Sequence, residues 1–278
     1  MRKIKLIKAA EPTLEGAGVR LHRVFGYYDT PKFDPFLMLD DFRNDDPDDY
    51  IAGFPWHPHR GIETITYMLE GSAEHADSIG NKGTIRKGEV QWMTAGSGII
   101  HQEMPLPDKQ GRMYGFQLWA NLPASHKMIK PRYQDIKASQ IPAVKAENDI
   151  TIKLICGSYK GVKGPVQDII IDPQFWDVSF PAGSRITLPA AAGYTCFIYC
   201  YEGSALIDAH TVSNRQVALF EDGDDIEVLA GKDGFRMLFL CGKPLNEPIS
   251  WRGPIVMNTK EEIQTAFHEL NNGSFIRK

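Results

Sequence analysis

The 278-residue sequence has no excess of positive charge and no long hydrophobic run. Its formal net charge is −4, whereas a protein that grips nucleic acid through the phosphates needs a basic patch. No apolar stretch approaches the roughly 20 residues of a membrane-spanning helix. The opening residues MRKIKLIKAA alternate charged and apolar side chains and lack the apolar core of a signal peptide. We therefore predict a cytoplasmic protein that contacts neither nucleic acid nor membrane directly.

Cysteine is also scarce, with four residues in the whole chain. Their spacing matches neither a zinc site nor a redox motif. In a reducing cytosol we expect free thiols that are largely buried in strands. The four positions are Cys156, Cys196, Cys200 and Cys241.

What the sequence does contain is a succession of short β-type runs. Segments such as IETITYMLEG, TIKLICGSY and TCFIYCYEGSALI are rich in β-branched and aromatic residues. The chain has 25 glycines and 18 prolines, which mark the turns between the runs. This pattern is typical of an all-β sandwich or barrel.

One helix is predicted at the C-terminus. Thr259 and Glu262 have the spacing of a capping box, and an apolar stripe runs from Ile263 to Leu270. Gly273 can close the helix.

A short internal repeat suggests that the β structure is duplicated. YMLEGSA at 67–73 matches YCYEGSA at 199–205, 132 positions further on. Two similar β units at this offset predict two barrel lobes in tandem. A polar, proline-containing segment near 126–144 is the expected boundary, which gives an N-terminal lobe at 1–130 and a C-terminal lobe at 131–278 that ends in the helix.

The stretch FPWHPHRG carries two histidines at positions 57 and 59. Residues i and i+2 of a strand point to the same face, so His57 and His59 can converge on one point. Pro58 between them lacks a backbone donor and suits a strand edge. The equivalents in the second lobe are Pro189 and Ala191, which predicts that only the N-terminal lobe carries the pair.

A second pair, His101 and Glu103, follows in GSGIIHQEMP. If the two strands are neighbours, the pairs can surround one cation with three imidazoles and one carboxylate. A lone histidine in a β protein is more often structural, but two such pairs favour a metal site. Fe, Mn, Ni, Cu and Zn all accept this donor set. The lack of cysteine ligands disfavours a structural zinc site.

These stretches carry a family resemblance. FPWHPHRGIETITYMLEG and GEVQWMTAGSGIIHQE resemble the two signature stretches of the pirin family, a branch of the cupin superfamily. The resemblance extends to VFGYYDTPKFDPFLMLDDF and GKPLNEPISWRGPIVMNT. It implies a bicupin of two jelly-roll-like β-barrel lobes with a metal, usually iron, in the N-terminal lobe. The residues matching the family's ligands are His57, His59, His101 and Glu103.

Glu63 occupies the position of a ligand glutamate in the wider cupin motif His57-x-His59-x-x-x-Glu63. It falls on the strand after the histidines, and the pirin pattern uses Glu103 instead. We therefore expect Glu63 to orient a ligand histidine through a hydrogen bond.

The resemblance implies two functional classes. The first is a quercetin (flavonol) 2,3-dioxygenase that uses molecular oxygen, with Glu103 as proton acceptor. In the dioxygenase, Phe54, Trp92 and Met93 could form an apolar wall of the substrate site. Their default interpretation is that they belong to the strand core. The alternative is a non-enzymatic, iron- and redox-responsive protein that regulates a transcription factor or a metabolic enzyme. An open, drug-sized apolar cavity at the metal site would favour the enzyme. We predict a monomer.

Overall fold

The computed structural model describes residues 1–277 and is built almost entirely of β-strands. Five short 3-10 helices lie in the connections, at Tyr27–Asp29, Pro47–Asp49, Ala124–His126, Ala138–Gln140 and Glu147–Asp149. The strands and the α-helix are, in chain order, β1 (Ile4–Ala9), β2 (Glu11–Glu15), β3 (Val19–Phe25), β4 (Phe36–Asp41), β5 (Phe54–His59), β6 (Ile62–Glu70), β7 (Ser72–Asp77), β8 (Lys82–Arg86), β9 (Val90–Thr94), β10 (Ile99–Leu106), β11 (Tyr114–Asn121), β12 (Arg132–Ile136), β13 (Ala143–Lys145), β14 (Thr151–Cys156), β15 (Ser158–Tyr159), β16 (Val162–Lys163), β17 (Gln174–Phe180), β18 (Arg185–Pro189), β19 (Thr195–Ile207), β20 (His210–Ser213), β21 (Gln216–Phe220), β22 (Asp225–Gly242), β23 (Ser250–Arg252), β24 (Ile255–Met257) and α1 (Lys260–Asn272).

The chain divides into two compact units that do not follow the chain order strictly. The N unit comprises residues 12–32, 36–138 and 245–277. The C unit comprises residues 1–11, 33–35 and 139–244. The predicted boundary at 130 lies near the observed one, but the division at 1–130 and 131–278 differs from the structure at both termini. The reason is strand pairing and packing: β1 pairs with β21 in the C unit, and α1 packs on β24 in the N unit.

The C unit is built on one nine-stranded antiparallel sheet. Its main path runs β1-β21-β19-β22-β17-β14-β13, with β18 and β20 paired beside it. Alternate residues of these strands are buried and form a single apolar core. Trp176 stacks on Phe239 within that core, with ring centroids 4.5 Å apart. The interior of this unit is therefore filled by hydrophobic side chains.

The N unit contains two larger sheets. A seven-stranded sheet has the order β12-β9-β6-β11-β4-β3-β2, and a four-stranded sheet has the order β5-β10-β7-β8. The two strands that carry the predicted ligand pairs, β5 and β10, are therefore neighbours. Strand β5 lies at the end of its sheet, the edge position that Pro58 predicts.

The repeated stretches adopt the same local conformation. Each strand reaches a Glu-Gly step, and the glycines Gly71 and Gly203 have φ of 73° and 72°. A side chain at either position would collide with a backbone carbonyl oxygen. Only glycine adopts a positive φ at low cost and also leaves room for the neighbouring carbonyl oxygen. This accounts for its presence at this turn in both units.

The predicted C-terminal helix is confirmed as α1. Thr259 accepts a hydrogen bond from the backbone N–H of Glu262 at 3.1 Å, and the Glu262 carboxylate accepts from the N–H of Thr259 at 2.9 Å. Gly273 ends the helix in the left-handed conformation, with φ of 77°. Both ends therefore follow the local signals that the sequence contains.

A Thr259→Ala variant should lose about 1 kcal/mol of unfolding free energy, because the first turn of α1 loses its capping acceptor. Urea unfolding followed by circular dichroism measures the change. Thr265→Ala is the matched control, since Thr265 lies exposed in the same helix and bonds only to Glu261 one turn back. An equal loss in both variants would contradict the capping explanation.

The four cysteines are buried thiols outside any disulfide, as the sequence predicts. Among residues 1–277, no helix is both long and apolar enough to cross a membrane.

Candidate metal centre

Strand pairing brings the three predicted histidines together. His57 and His59 lie on β5, and His101 lies on β10. The two strands are antiparallel, with His101 opposite His57 and Ile99 opposite His59. Because i and i+2 share a face and cross-strand partners lie side by side, all three imidazoles point into one space.

The three rings are in close contact through their Nε2 atoms. The Nε2 of His57 lies 3.0 Å from the Nε2 of His59 and 3.0 Å from the Nε2 of His101. One ligand atom from each residue falls within 4.8 Å of the others. In the part of the chain that the structure describes, this is the only group of three or more potential metal-binding side chains.

The tautomers of two of these histidines follow from their outer partners. The Nδ1 of His57 lies 2.7 Å from the carbonyl oxygen of Pro55, and the Nδ1 of His59 lies 3.1 Å from that of Pro254. A carbonyl only accepts, so each Nδ1 carries a proton, and in a neutral ring the Nε2 then presents a lone pair. Two lone pairs at 3.0 Å repel each other, and a cation between the rings removes that repulsion. The donor set therefore fits a metal ion.

Burial keeps two of the imidazoles neutral. Desolvation, together with the neighbouring histidines, holds the pKa of His59 well below its usual value. Desolvation lowers the pKa of His101 in the same way, with smaller contributions from His57 and His75. A neutral imidazole is the form that ligates a metal, so both side chains are in the binding-competent state at neutral pH.

Glu103 lies two residues beyond His101 on β10 but outside the histidine group. One carboxylate oxygen accepts from the Thr66 hydroxyl at 3.0 Å, and the other accepts from the Gln117 amide at 2.8 Å. The β5–β10 register shifts between His101 and Glu103, so the simple i, i+2 alternation is interrupted there. Glu103 as a fourth ligand stays a prediction.

Glu63 is buried on β6, the strand after the histidines, as expected. Its carboxylate accepts from the Thr94 hydroxyl at 2.6 Å. The structure shows no hydrogen bond from Glu63 to a ligand histidine, which was its expected role. Burial raises the pKa of Glu63, while the bond from Thr94 acts in the opposite direction.

The sequence patterns did not identify several residues that support the histidine site. Trp119 donates from its indole N–H to Gln117 at 3.0 Å, and its ring lies 5.0 Å from that of His59. A polar Gln117 within the apolar run GFQLWA was the available signal. No sequence pattern points to the Pro254 carbonyl, because it bonds to His59 from 195 residues away in the chain.

An open cleft of about 550 Å³ leads to the histidines. His57 and His59 line it, and so does Phe54, one of the three expected wall residues. Trp92 and Met93 are instead buried in the strand core, which was their default interpretation. The aromatic residues of the cleft are Tyr27, Phe54, Trp56, Trp119 and Trp251.

One side of the cleft carries an ion network. The Arg23 guanidinium donates to both oxygens of Asp40, at 2.9 and 2.8 Å, and to Glu15 at 2.8 Å. Burial raises the pKa of Asp40 to about 6, although Arg23 opposes the rise. The cleft therefore combines aromatic walls with a set of paired charges.

Comparisons with known proteins agree with this architecture. The family model "Pirin" matches residues 18–120, and the model "Pirin C-terminal cupin domain" matches residues 175–276. A pirin-like protein of Caulobacter vibrioides is 44% identical over 98% of both chains. A Pseudomonas aeruginosa protein provisionally named quercetin 2,3-dioxygenase is 43% identical over 98% of this chain and 97% of its own. The crystal structure of quercetin 2,3-dioxygenase from Acinetobacter baumannii has a TM-score of 0.92 at 34% identity, covering 99% of this chain and 98% of that one.

The fold and the comparisons define a bicupin, an all-β protein with two cupin domains and a C-terminal helix. The predicted fold class is therefore confirmed. The chain belongs to the pirin family.

One tightly bound metal per chain is expected. The positions equivalent to His57 and His59 are Pro189 and Ala191, whose side chains have no ligand atom, and the core of the C unit is apolar. Metal analysis of the loaded protein after gel filtration should give one equivalent. A stoichiometry of two would show that the C unit also holds a metal.

Proposed function

We propose that this protein is a metal-dependent flavonol dioxygenase that opens quercetin-like substrates with molecular oxygen. The observation that carries the proposal is the histidine cluster, of which His57 and His59 line an open cleft of about 550 Å³. That volume lies within the roughly 300–1,000 Å³ of small-molecule sites. The names of the Pseudomonas and Acinetobacter proteins support the same activity.

In this proposal His57, His59, His101 and Glu103 hold one divalent transition metal. Three imidazoles and a carboxylate accept Fe, Mn, Ni, Cu or Zn, and the family resemblance favours Fe2+. Such a metal would supply Lewis acidity toward the substrate's oxygen atoms. Trp119 holds the His59 ring from one side, and the Pro254 carbonyl fixes its tautomer.

The cleft walls suit a planar, aromatic substrate. Trp119 and Trp251 lie 6.0 Å apart at an interplanar angle of 35°, and Tyr27 meets Trp251 edge-on at 5.6 Å. These rings form one continuous aromatic surface beside His59. A flavonol can stack on this surface while its hydroxyl groups reach the polar side of the cleft. Trp56 is 53% exposed and can close over a bound ring from the mouth.

Glu103 is the proposed acceptor of the substrate's hydroxyl proton. Thr66 and Gln117 hold its carboxylate from two sides, and the Trp119 indole in turn orients the Gln117 amide. This chain of hydrogen bonds fixes the direction of the carboxylate before substrate arrives. Gln117 lines the cleft as well, which joins Glu103 to the substrate-binding space.

The alternative, a redox-responsive partner protein, is less well supported by the cleft. A partner role would favour a closed metal site beneath a charged surface. The histidines instead face an open cavity with aromatic walls. The open cavity therefore favours the enzyme over the partner protein.

The test is aerobic turnover of a flavonol panel by protein loaded separately with Fe, Mn, Ni, Cu or Zn. We expect loss of the quercetin absorption band with matching oxygen uptake and release of carbon monoxide. His210→Ala is a suitable control, because His210 is an exposed residue of the C unit. If no metal-loaded form consumes oxygen with any flavonol, the dioxygenase proposal is rejected in favour of partner binding.

A further inference from the structure

The N unit contains a lysine, Lys127, that is only 1% exposed. Its ammonium group donates to the backbone carbonyl oxygens of Gly61 at 2.8 Å and Val256 at 3.0 Å. It also donates to the side-chain amide oxygen of Asn121 at 2.7 Å. An ammonium group carries three protons, so each proton has an acceptor of its own.

The two backbone carbonyls belong to the segments that hold His59. Gly61 follows His59 by two residues and leads into β6. Val256, on β24, follows Pro254 by two residues, and the Pro254 carbonyl oxygen lies 3.1 Å from the Nδ1 of His59. Lys127 therefore links the segment that carries the imidazole to the segment that carries its hydrogen-bond acceptor.

These two segments run close together. The backbone N–H of Val256 donates to the carbonyl oxygen of Arg60 at 3.1 Å. A Cβ atom at Gly61 would lie only 2.0 Å from the carbonyl oxygen of Val256. The carbonyl oxygens of Gly61 and Val256 both lie within hydrogen-bond distance of one ammonium group, which offsets the repulsion between them.

The ammonium group is held at this position at a cost. Burial lowers the pKa of Lys127 to about 7, although Glu247 and Glu262 oppose the change. The three acceptors are neutral oxygens, and burying a charge is unfavourable unless hydrogen bonds offset the loss of water. An apolar side chain would fill the same space without that cost, so packing alone does not require an ammonium group here.

We infer that Lys127 is a positioning residue for the metal centre. It fixes the Pro254 carbonyl against the imidazole of His59, and it thereby keeps His59 in the tautomer that presents Nε2 to a metal ion. The inference rests on the metal centre of the proposed function. It is independent of flavonol oxidation, because the same ligand is needed for any reaction at that metal.

Three variants test this role. Lys127→Met keeps an unbranched side chain but removes all three donors, so nothing from this position links the two segments. Asn121→Ala is the matched control, because it removes the third acceptor from the same buried cluster and leaves the bonds to both backbone carbonyls in place. Lys127→Gln is one atom shorter and keeps two donor protons, so it serves if Lys127→Met does not fold.

The first measurement is the tautomer of His59 in the metal-free protein, read from 15N NMR of histidine-labelled samples. A His59→Ala spectrum assigns the signal. The wild type and Asn121→Ala should show the form with the proton on Nδ1, whereas Lys127→Met should show a mixture of both tautomers. A single, wild-type tautomer in the folded Lys127 variant overturns the inference. This readout needs neither metal nor turnover.

The second measurement is metal affinity by competition with a chelator. Lys127→Met should bind about 10-fold more weakly than the wild type, the lower end of the loss that follows removal of an outer hydrogen-bond partner. Asn121→Ala should keep the wild-type affinity. Unchanged affinity in Lys127→Met, or an equal loss in both variants, overturns the inference. A wild type that binds no metal rejects the proposed metal centre, and the tautomer comparison still decides the role of Lys127.

Discussion

A His57→Ala/His101→Ala double variant is expected to lose its metal. Removing two of three converging imidazoles should weaken binding by more than the roughly 10- to 100-fold that follows loss of an outer hydrogen-bond partner. Metal analysis after dialysis against a chelator measures the retained fraction. Turnover of a flavonol should fall with the metal content, because two residues of the metal centre, His57 and His59, line the cleft.

The loss should not result from unfolding. His57 is half-buried on the edge strand β5, and β10 keeps its pairing with β7 in the variant. We expect the apo double variant to remain folded and to show a cooperative thermal unfolding transition. A His210→Ala/His268→Ala variant is the control, since both residues are exposed and outside the cluster. Full metal content in the His57→Ala/His101→Ala protein would rule out this centre.

Glu103→Gln is expected to reduce kcat by about 10²–10⁴-fold, as is typical when a general base is lost. The change preserves the local bonds: the new amide oxygen can accept from Gln117, and the new amide N–H can donate to the Thr66 hydroxyl, which also accepts. The variant therefore removes basicity and negative charge with little change of shape. Metal should be partly retained, because an amide oxygen still coordinates weakly.

Glu63→Gln is the matched control for this experiment. Glu63 is also buried, but its hydrogen-bond partner is Thr94, and it does not line the cleft. Its effect on kcat should be much smaller. Steady-state turnover of quercetin by iron-loaded wild type and both variants, with metal content measured on the same samples, separates loss of the base from loss of the ion. Full activity in Glu103→Gln would exclude Glu103 as the base.

The candidate site was predictable to the extent that it depends on strand periodicity. His57, His59 and His101 converge because residues two apart share a face, and β5 and β10 are neighbours. The same periodicity predicts Glu103 beside them; the β5–β10 register shifts after His101, and Thr66 and Gln117 donate hydrogen bonds to the Glu103 carboxylate. Hydrogen bonds that reach across 37 and 14 residues leave no local trace in the sequence.

The sequence by itself determined the β class of the fold, the capped helix α1, the glycine turns at Gly71 and Gly203, and the histidine spacing. Each of these follows from φ/ψ preference and side-chain periodicity over a few residues. Tertiary structure alone decided that β1 joins the C unit, that Pro254 supports His59, and that an open cleft forms beside His57 and His59. The physical reason is range: backbone geometry acts between neighbours in the chain, whereas cavities and hydrogen-bond partners arise where distant segments pack.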